Sequence, residues 1–380
     1  MRAIILVLLV AVTGSAADTY LPWEGGPAYY KRWKNGPNPD DSYFPIAVWL
    51  QSPRNAEAYK AIGINLYVGL WRGPNEEQLK QLADAGMPVL AGMKERLTGS
   101  SVLRGWTMMD EPDNAQAKPG GGYGSCVLPP VMMEQYRKWR AADPTRPVYL
   151  NLGQGVVNEK YVGRGSECGR HDEHYAEYIA ATDIVSYDVY PVNSKYPLWW
   201  VGAGVDRLRK WAKYEKPVWN WIEGSTIRGE GKPTPAQLKS EVWMSIIHGS
   251  MGIGYFCHQF KPTSDEAAPL HDAEMRQAMK EINGRITELA RVLNTRSVAN
   301  GVIVDASVPI DTMLKRFGGE TYLFAMGARP DGETMAKFQL RETGDADVTV
   351  MGEGRTLKAR KGAFEDRFGE YEVHLYRIKN

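Results

Sequence analysis

The sequence has almost no net charge, few cysteines and, after its first residues, no apolar run long enough to cross a membrane. Its 46 basic and 45 acidic side chains leave a net charge of +1 over 380 residues, so we expect no nucleic acid or anionic lipid partner. With 43% hydrophobic and 24% charged residues, the chain can bury a core, which excludes disorder, collagen and coiled coil. It is rich in Trp (12) and Tyr (20), whose flat rings suit either a core or a neutral, hydroxyl-rich ligand such as a sugar.

The first residues predict a secretory signal. Arg2 precedes an apolar run from Ala3 to Val12, and small residues up to Ala17 suit cleavage. The run is too short to span a bilayer, and the alternative is a buried N-terminal helix. We therefore expect residues 1–17 to be removed, and the protein to be secreted or periplasmic with no membrane partner afterwards. The sequence does not indicate the oligomeric state.

The three cysteines favour one disulfide. Cys126 and Cys168 lie in Gly-rich segments and are expected to pair, whereas Cys257 lies in an apolar run and is expected to pack as a small hydrophobe. Cys168, His171 and His174, with Cys126, could instead hold zinc, but their spacing matches no common zinc site and export favours a disulfide. We expect no metal.

Three common fingerprints are missing from the sequence. No complete dinucleotide or phosphate-loop motif occurs, so we expect no cofactor. No Gly-x-Ser-x-Gly surrounds any serine, which argues against a hydrolase of the esterase type.

Up to about Ser297, short apolar runs alternate with segments of helical periodicity. Eight strand–helix repeats predict an α/β fold, a (β/α)₈ TIM barrel, because parallel strands need crossover helices. The third helix has room for only about one turn, and a doubly wound sheet is the competing architecture. The predicted strands are 44–50, 64–70, 88–93, 104–110, 147–152, 183–190, 217–223 and 252–258.

The periodicity changes to two after Ser297, with Gly- and Asp-rich turns between short strands. This pattern predicts a smaller C-terminal antiparallel β-sandwich domain. The expected organisation is a signal peptide over 1–17, a catalytic barrel over 18–296 and the β domain over 297–380.

Two glutamates directly follow apolar strand ends, where barrels build their active sites. Glu111 follows the fourth strand and Glu223 ends the seventh. A carboxyl at such a place is expected to be half-buried, which raises its pKa. Two carboxyls across a small mouth meet the requirement of glycoside hydrolysis, since one gives a proton and the other attacks the anomeric carbon or activates water.

These motifs resemble those of the clan A glycoside hydrolases, which are retaining enzymes on a (β/α)₈ barrel. Trp106-Thr-Met-Met-Asp110-Glu111-Pro112 is similar to their acid/base motif, and Trp219-Asn-Trp221-Ile-Glu223 to their nucleophile motif. The resemblance implies that Glu111 is the acid/base and Glu223 the nucleophile. It also implies that a tyrosine of the sixth strand, Tyr190 or secondly Tyr187, hydrogen-bonds the nucleophile. Asp110 departs from the clan, which usually has Asn there to bind the sugar 2-hydroxyl.

The expected function is cleavage of O-glycosidic bonds in an oligo- or polysaccharide by double displacement. The alternatives are a noncatalytic carbohydrate-binding protein on a degenerate barrel and a transglycosidase with the same two glutamates. The expected carbohydrate-binding residues lie near strand ends; they are Asp110, Tyr190, Tyr187, Trp221, Asn151, His258 and Trp49.

Overall fold

The computed structural model describes residues 17–161, 171–330 and 332–379. Its largest part is a closed barrel of parallel strands, in which the last strand pairs with the first. A two-residue strand, β1 (Thr19–Tyr20), precedes the eight barrel strands, which are β2 (Ile46–Trp49), β3 (Leu66–Val68), β4 (Val89–Ala91), β5 (Leu103–Thr107), β6 (Val148–Leu152), β7 (Ile184–Asp188), β8 (Val218–Glu223) and β9 (Ile253–Phe256). The predicted barrel is confirmed.

Helices follow the strands around the outside of the barrel. Between β4 and β5 the described chain has only a 3₁₀ turn at Glu95–Leu97, as the short spacing predicted. The helices are α1 (Ala56–Ala61), α2 (Glu76–Asp84), α3 (Pro129–Ala142), α4 (Asp172–Ala180), α5 (Pro191–Ser194), α6 (Trp200–Trp211), α7 (Pro235–Ile247), α8 (Ala268–His271) and α9 (Ala273–Leu293). Local capping fixes some of their starts: the side chain of Asn75 accepts the Gln78 N–H at the start of α2.

Side chains of the alternating inward positions fill the barrel. They form one apolar cluster, to which β8 contributes Trp219 and Trp221. Tyr29 and Tyr30 pack into the same cluster from the N-terminal segment: Tyr29 donates to the carbonyl of Asp183 at 2.9 Å, and Trp219 donates to the Tyr30 hydroxyl at 3.1 Å. These rings fill the interior below the carboxyl ends of the strands.

The C-terminal strands form two antiparallel sheets around a shared apolar core, which confirms the predicted β domain. One sheet has the order β11-β14-β17 and the other β12-β13-β18-β15-β16, while β10 pairs with β1. The strands are β10 (Val298–Ala299), β11 (Val302–Asp305), β12 (Ile310–Phe317), β13 (Glu320–Gly327), β14 (Thr334–Leu340), β15 (Ala346–Val350), β16 (Arg355–Ala359), β17 (Ala363–Phe368) and β18 (Val373–Lys379).

The sequence predicted no strand at β10 or β16, whereas residues 364–376, which include most of β17, resemble the closing strands of the clan A glycoside hydrolases. Strand β17 alternates buried and exposed positions, and one of its buried positions is Asp366. Its carboxyl pairs with Arg355 at 2.8 Å and accepts the Tyr376 hydroxyl at 2.8 Å. The charge of Asp366 can be buried because it has these partners, but a charged residue at a buried position weakens the alternating apolar pattern from which a strand is predicted.

The β domain packs against α7. Trp243 stacks on Phe324 with ring centroids 5.7 Å apart, and the hydroxyl of Ser240 donates to the carbonyl of Tyr371 at 2.7 Å. Helix α7 is therefore held on both sides, by the barrel and by the β domain.

Some expectations concern residues outside the described ranges. Residues 1–16 of the expected signal and Cys168 of the expected Cys126–Cys168 disulfide lie outside them, so both stay predictions. Cys257 is free and buried. None of the helices within the described ranges is both long and apolar enough to cross a membrane.

Candidate active site

The carboxyl ends of the barrel strands bring several chemically active side chains together. Trp49 ends β2, Asn151 lies near the end of β6, Asp188 ends β7, and Glu111 lies shortly after β5. This end of a parallel barrel is where loops can build a site on a rigid frame. We call it the mouth.

Glu111 is fixed at the mouth by contacts on both its backbone and its side chain. It has a left-handed backbone conformation with φ 44°, which is uncommon outside glycine and concentrates at functional sites. Its N–H donates to the carbonyl of Asn151 at 3.1 Å, and its carboxyl accepts from Nδ2 of Asn114 at 2.9 Å. Gly153 allows this placement, because a Cβ there would lie 3.0 Å from Oε1 of Glu111.

Asp188 supplies the carboxyl that hydrogen-bonds Glu111. The hydroxyl of Tyr190 donates to Oδ2 of Asp188 at 3.1 Å. Burial, followed by the charges of Glu111 and Asp110, raises the pKa of Asp188 well above its usual value. Two touching carboxyls are not ionised together, so Asp188 carries the proton and donates it to Glu111.

Sequence reasoning missed Asp188 as an acid. The signal was available in β7, where Ser186 and Asp188 occupy alternate positions of an otherwise apolar strand and so share the inward face. The sequence analysis selected the tyrosines of this segment instead, because they matched the clan motif.

Glu223 has a different set of hydrogen-bond partners from this pair of acids. It is 0% exposed, and its Oε1 accepts the N–H of Val192 at 2.6 Å. Its Oε2 accepts from both the backbone N–H and Nδ2 of Asn193, at 2.9 and 2.5 Å. The carboxyl beside it is Glu241 of the outer helix α7. Donors of the turn after β7 thus hold the Glu223 carboxyl. The pairing of Glu223 with Glu111 stays a prediction.

The two tyrosine expectations are corrected. Tyr190 does not hydrogen-bond Glu223 as expected, since its hydroxyl donates to Asp188. Tyr187 faces the outside of the barrel, is 0% exposed and donates to the carbonyl of Trp200 at 3.0 Å. Its neighbours are helix backbone, so it does not contact a ligand in the mouth.

Trp221 forms part of the floor below the mouth. It is 2% exposed, and its Nε1 donates to the hydroxyl of Tyr149 at 2.7 Å and to that of Ser186 at 3.1 Å. A Cβ on Gly254 would lie 2.1 Å from the Trp221 ring, so the ring occupies space that only glycine leaves open. The expectation that Trp221 contacts the ligand is corrected: it packs in the core and supports Trp49, 5.1 Å away between ring centroids.

Asp110 and Asn151 form the polar side of the mouth, next to the pair of acids. Nδ2 of Asn151 donates to Oδ1 of Asp110 at 3.0 Å, and its Oδ1 accepts from the hydroxyl of Ser186 at 2.7 Å. The orientation of the Asn151 amide is thereby set, and Asp110 is held as an acceptor.

Aromatic rings form another side of the mouth. Tyr190 and Phe256 have ring centroids 5.2 Å apart, and the ring of His258 lies 5.3 Å from Phe256 and 6.0 Å from Phe260. Nε2 of His258 lies 3.2 Å from the carbonyl of Trp49, which links the last barrel strand to the first. Burial lowers the pKa of His258, so its ring is neutral near pH 7 and joins the aromatic surface.

A third carboxyl, Asp113, lies buried near Glu111. It accepts the N–H of Gly153 at 2.9 Å and the hydroxyl of Tyr175 at 3.1 Å. Burial, followed by the charge of Glu111, raises the pKa of Asp113 to about 7. Burial and the charge of Glu111 thus raise the pKa of two acids near Glu111, Asp113 and Asp188.

No group of three or more His, Cys, Asp or Glu side chains in the described ranges is arranged to hold a metal ion. The rings of His171 and His174 lie 4.9 Å apart, and Cys168, the third member of the alternative zinc site, is outside the described residues.

The architecture is a (β/α)₈ barrel with a C-terminal β domain, and a solved glycoside hydrolase has a similar fold. A family 42 β-galactosidase has a TM-score of 0.57 and 8% identity, over 89% of this chain and 98% of that one. A family 30 endoxylanase from Clostridium papyrosolvens has a TM-score of 0.49 and 10% identity, covering 96% of this chain and 98% of its own. A glucosidase from Croceicoccus marinus has a TM-score of 0.47 and 11% identity, over 89% of this chain and 95% of that one. No family model matches the sequence, and no curated protein is similar to it.

Proposed function

We propose that the protein is a glycoside hydrolase whose reacting carboxyls are Glu111 and Asp188. The observation that carries the proposal is their hydrogen bond at the mouth of the barrel, beside a wall of half-buried rings. Paired acids that share one proton next to stacking surfaces suit a sugar ring and its glycosidic oxygen. The fold shared with the β-galactosidase supports the proposal without identifying the sugar.

The environments of the two acids give them different roles. Asp188 holds the proton, since its pKa is raised well above the usual value by burial and by the neighbouring charges. The carboxylate of Glu111 accepts hydrogen bonds from Asp188 and from Asn114, which orient its oxygens at the mouth. Asp188 is therefore the acid, and Glu111 is the nucleophile.

The reaction then runs by double displacement. The glycosidic oxygen takes the Asp188 proton as its bond to the anomeric carbon breaks, while a Glu111 oxygen bonds to that carbon. In the second step, Asp188 removes a proton from water, the water oxygen attacks the anomeric carbon and Glu111 leaves. Inverting enzymes keep their carboxyls roughly 6.5–9.5 Å apart and retaining enzymes about 5–5.5 Å. A hydrogen-bonded pair is closer to the retaining spacing, and its two carboxyls must part to admit the anomeric carbon.

Azide rescue tests the roles. With an aryl glycoside that has a good leaving group, Glu111→Ala loses turnover, and azide restores it by attacking from the vacated side, which yields a glycosyl azide of inverted configuration. Asp188→Ala still forms the glycosyl-enzyme, and azide then yields a product of retained configuration. Inverted azide from Glu223→Ala, with an active Glu111→Ala, would overturn the assignment in favour of Glu223.

The same assay separates the alternative functions. Sugar binding by the wild type with no product over long incubation would identify a carbohydrate-binding protein. Products longer than the substrate would identify transglycosylation, which shares the covalent intermediate. A panel of aryl glycosides and polysaccharides, read by product release, identifies the sugar.

Export and the Cys126–Cys168 disulfide belong to the same proposal. The N-terminal apolar run followed by small residues supports secretion or periplasmic delivery. N-terminal sequencing of the exported protein is expected to begin at Asp18, and thiol counting without reductant is expected to find one cysteine, Cys257.

A further inference from the structure

The turn after β7 carries Asp188 and Tyr190 and then enters the short helix α5 (Pro191–Ser194). Its backbone N–H groups at Val192 and Asn193 lie in the first turn of that helix, where no helical carbonyl can accept them. The Glu223 carboxyl accepts both, at 2.6 and 2.9 Å. It thus ties this turn to the end of β8.

Asn193 extends the tie into the loop after β8. Its Nδ2 donates to Glu223 Oε2 and, at 2.9 Å, to the carbonyl of Ser225, while its Oδ1 accepts the N–H of Ile227 at 2.7 Å. The turn that follows Asp188 and Tyr190 is therefore tied to the end of β8 and to its loop by contacts that meet at Glu223 and Asn193.

The charge state of this anchor follows from its neighbours. Glu223 and Glu241 are each 0% exposed, and their carboxyls lie side by side. Two buried carboxylates in contact are strongly unfavourable, so one of them must be neutral. Burial raises the pKa of both carboxyls, and that of Glu241 more strongly. Three N–H donors point at Glu223, which requires both of its oxygens to accept, so the proton resides on Glu241.

We propose that Glu223 is the positioning residue for Asp188 and Tyr190, and that protonated Glu241 keeps it ionised in the barrel wall. This inference rests on the proposed function for its effect on turnover, but the anchoring itself can be measured without a substrate. Neither glutamate touches the sugar in this arrangement, so both act through the geometry of the β7–α5 turn.

Matched glutamate-to-glutamine variants test the proposal. Glu223→Gln replaces one accepting oxygen by an NH₂ group, which cannot accept the N–H groups that point at it. The turn therefore loses part of its anchor. Glu241→Gln is the conservative partner, because it replaces a neutral O–H donor by a neutral N–H donor of similar shape. Glu230 is exposed in the loop after β8. Glu230→Gln is therefore the control, because it makes the same chemical change at a residue outside the Glu223–Asn193 contacts.

Three readouts are measured on the full chain: amide hydrogen exchange at Val192 and Asn193, kcat and KM on an aryl glycoside, and the pH profile of kcat. Glu223→Gln is expected to speed exchange at both amides and to lower kcat by about 10²-fold with little change in KM, since a misplaced acid costs rate rather than binding. The alkaline limb of kcat, which reports Asp188, is also expected to shift. Glu241→Gln is expected to retain most of the kcat and the slow exchange.

Unchanged exchange and unchanged kcat in Glu223→Gln would overturn the proposal, and so would a Glu241→Gln variant as impaired as Glu223→Gln. If Glu223→Gln does not fold, Asn193→Ala removes one of the three donors and is expected to give the same pattern with about a tenfold loss of kcat; no loss there would also overturn it. A wild type that cleaves no glycoside contradicts the proposed function alone, because hydrogen exchange still decides whether Glu223 anchors the turn.

Discussion

The Tyr190 hydroxyl donates to Oδ2 of Asp188 at 3.1 Å. This bond favours the ionised form of Asp188 and so lowers a pKa that burial and the charges of Glu111 and Asp110 raise. In the proposed reaction Asp188 becomes ionised as it gives up its proton. Tyr190 therefore stabilises charge that develops in the transition state, in addition to its place in the aromatic wall.

Tyr190→Phe keeps the ring and removes the donor. The pKa of Asp188 is then expected to rise further, so the alkaline limb of kcat, where the acid loses its proton, moves to higher pH. We expect kcat to fall about 10- to 100-fold, the cost of one hydrogen bond to a charged group. The measurement is kcat from pH 4 to 9, with Tyr20→Phe on the exposed strand β1 as the control. A limb that moves to lower pH would contradict the assigned role.

Asp110→Asn restores the residue that the clan A motif usually has, and it is expected to move the same limb the other way. The Asp110 charge helps to raise the pKa of Asp188, so removing it lowers that pKa, and kcat declines at a lower pH. The asparagine carbonyl can still accept from Asn151, which keeps the local structure. Asp305→Asn in β11 is the matched control, and coincident profiles for all three proteins would rule out electrostatic coupling between Asp110 and Asp188.

The sequence predicted the barrel because each strand is a short apolar run, and it singled out Glu111 because a carboxyl directly after such a run is expected to be half-buried. It did not single out Asp188, the acid that hydrogen-bonds Glu111. The alternation of inward side chains at Trp219 and Trp221 predicts that Glu223 also faces inward. In the structure, however, two backbone N–H groups and the Asn193 side chain donate hydrogen bonds to its carboxyl. Those donors belong to a turn about 30 residues earlier, and no local pattern reveals such a partner. The alternation of Ser186 and Asp188 in β7 indicates that Asp188 faces inward, but its contact with Glu111 is seen only when the barrel brings β5 and β7 together.

Trp71 offers a test of the ligand class. It follows β3 at the carboxyl end of the barrel, and its side chain is 60% exposed, as expected of a stacking surface for a sugar beyond the reacting one. Trp71→Ala is expected to raise KM for an oligosaccharide by about tenfold, the equivalent of one aromatic contact, with kcat unchanged. KM for a small aryl glycoside is expected to stay constant. Phe317→Ala, which removes an exposed ring from the β domain, is the control, and equal KM values for both substrates in Trp71→Ala would contradict the prediction.

Asp113 links the mouth to the stability of the fold. Its pKa is about 7 in the folded protein, mainly because of burial, whereas an unfolded aspartate titrates near 3.9. Between about pH 4 and 7 the unfolded chain has lost a proton that the folded chain still holds, so the contribution of Asp113 to the free energy of unfolding falls as pH rises. Asp113→Asn mimics the neutral acid at every pH and removes this dependence. The free energy of unfolding of the variant minus that of wild type is expected to rise by up to about 4 kcal/mol from pH 4 to pH 8, as measured by urea unfolding. For Asp305→Asn, which changes an exposed aspartate, the free energy of unfolding is expected to vary with pH in parallel with that of wild type. A parallel curve for Asp113→Asn as well would show that Asp113 is ionised in the folded protein.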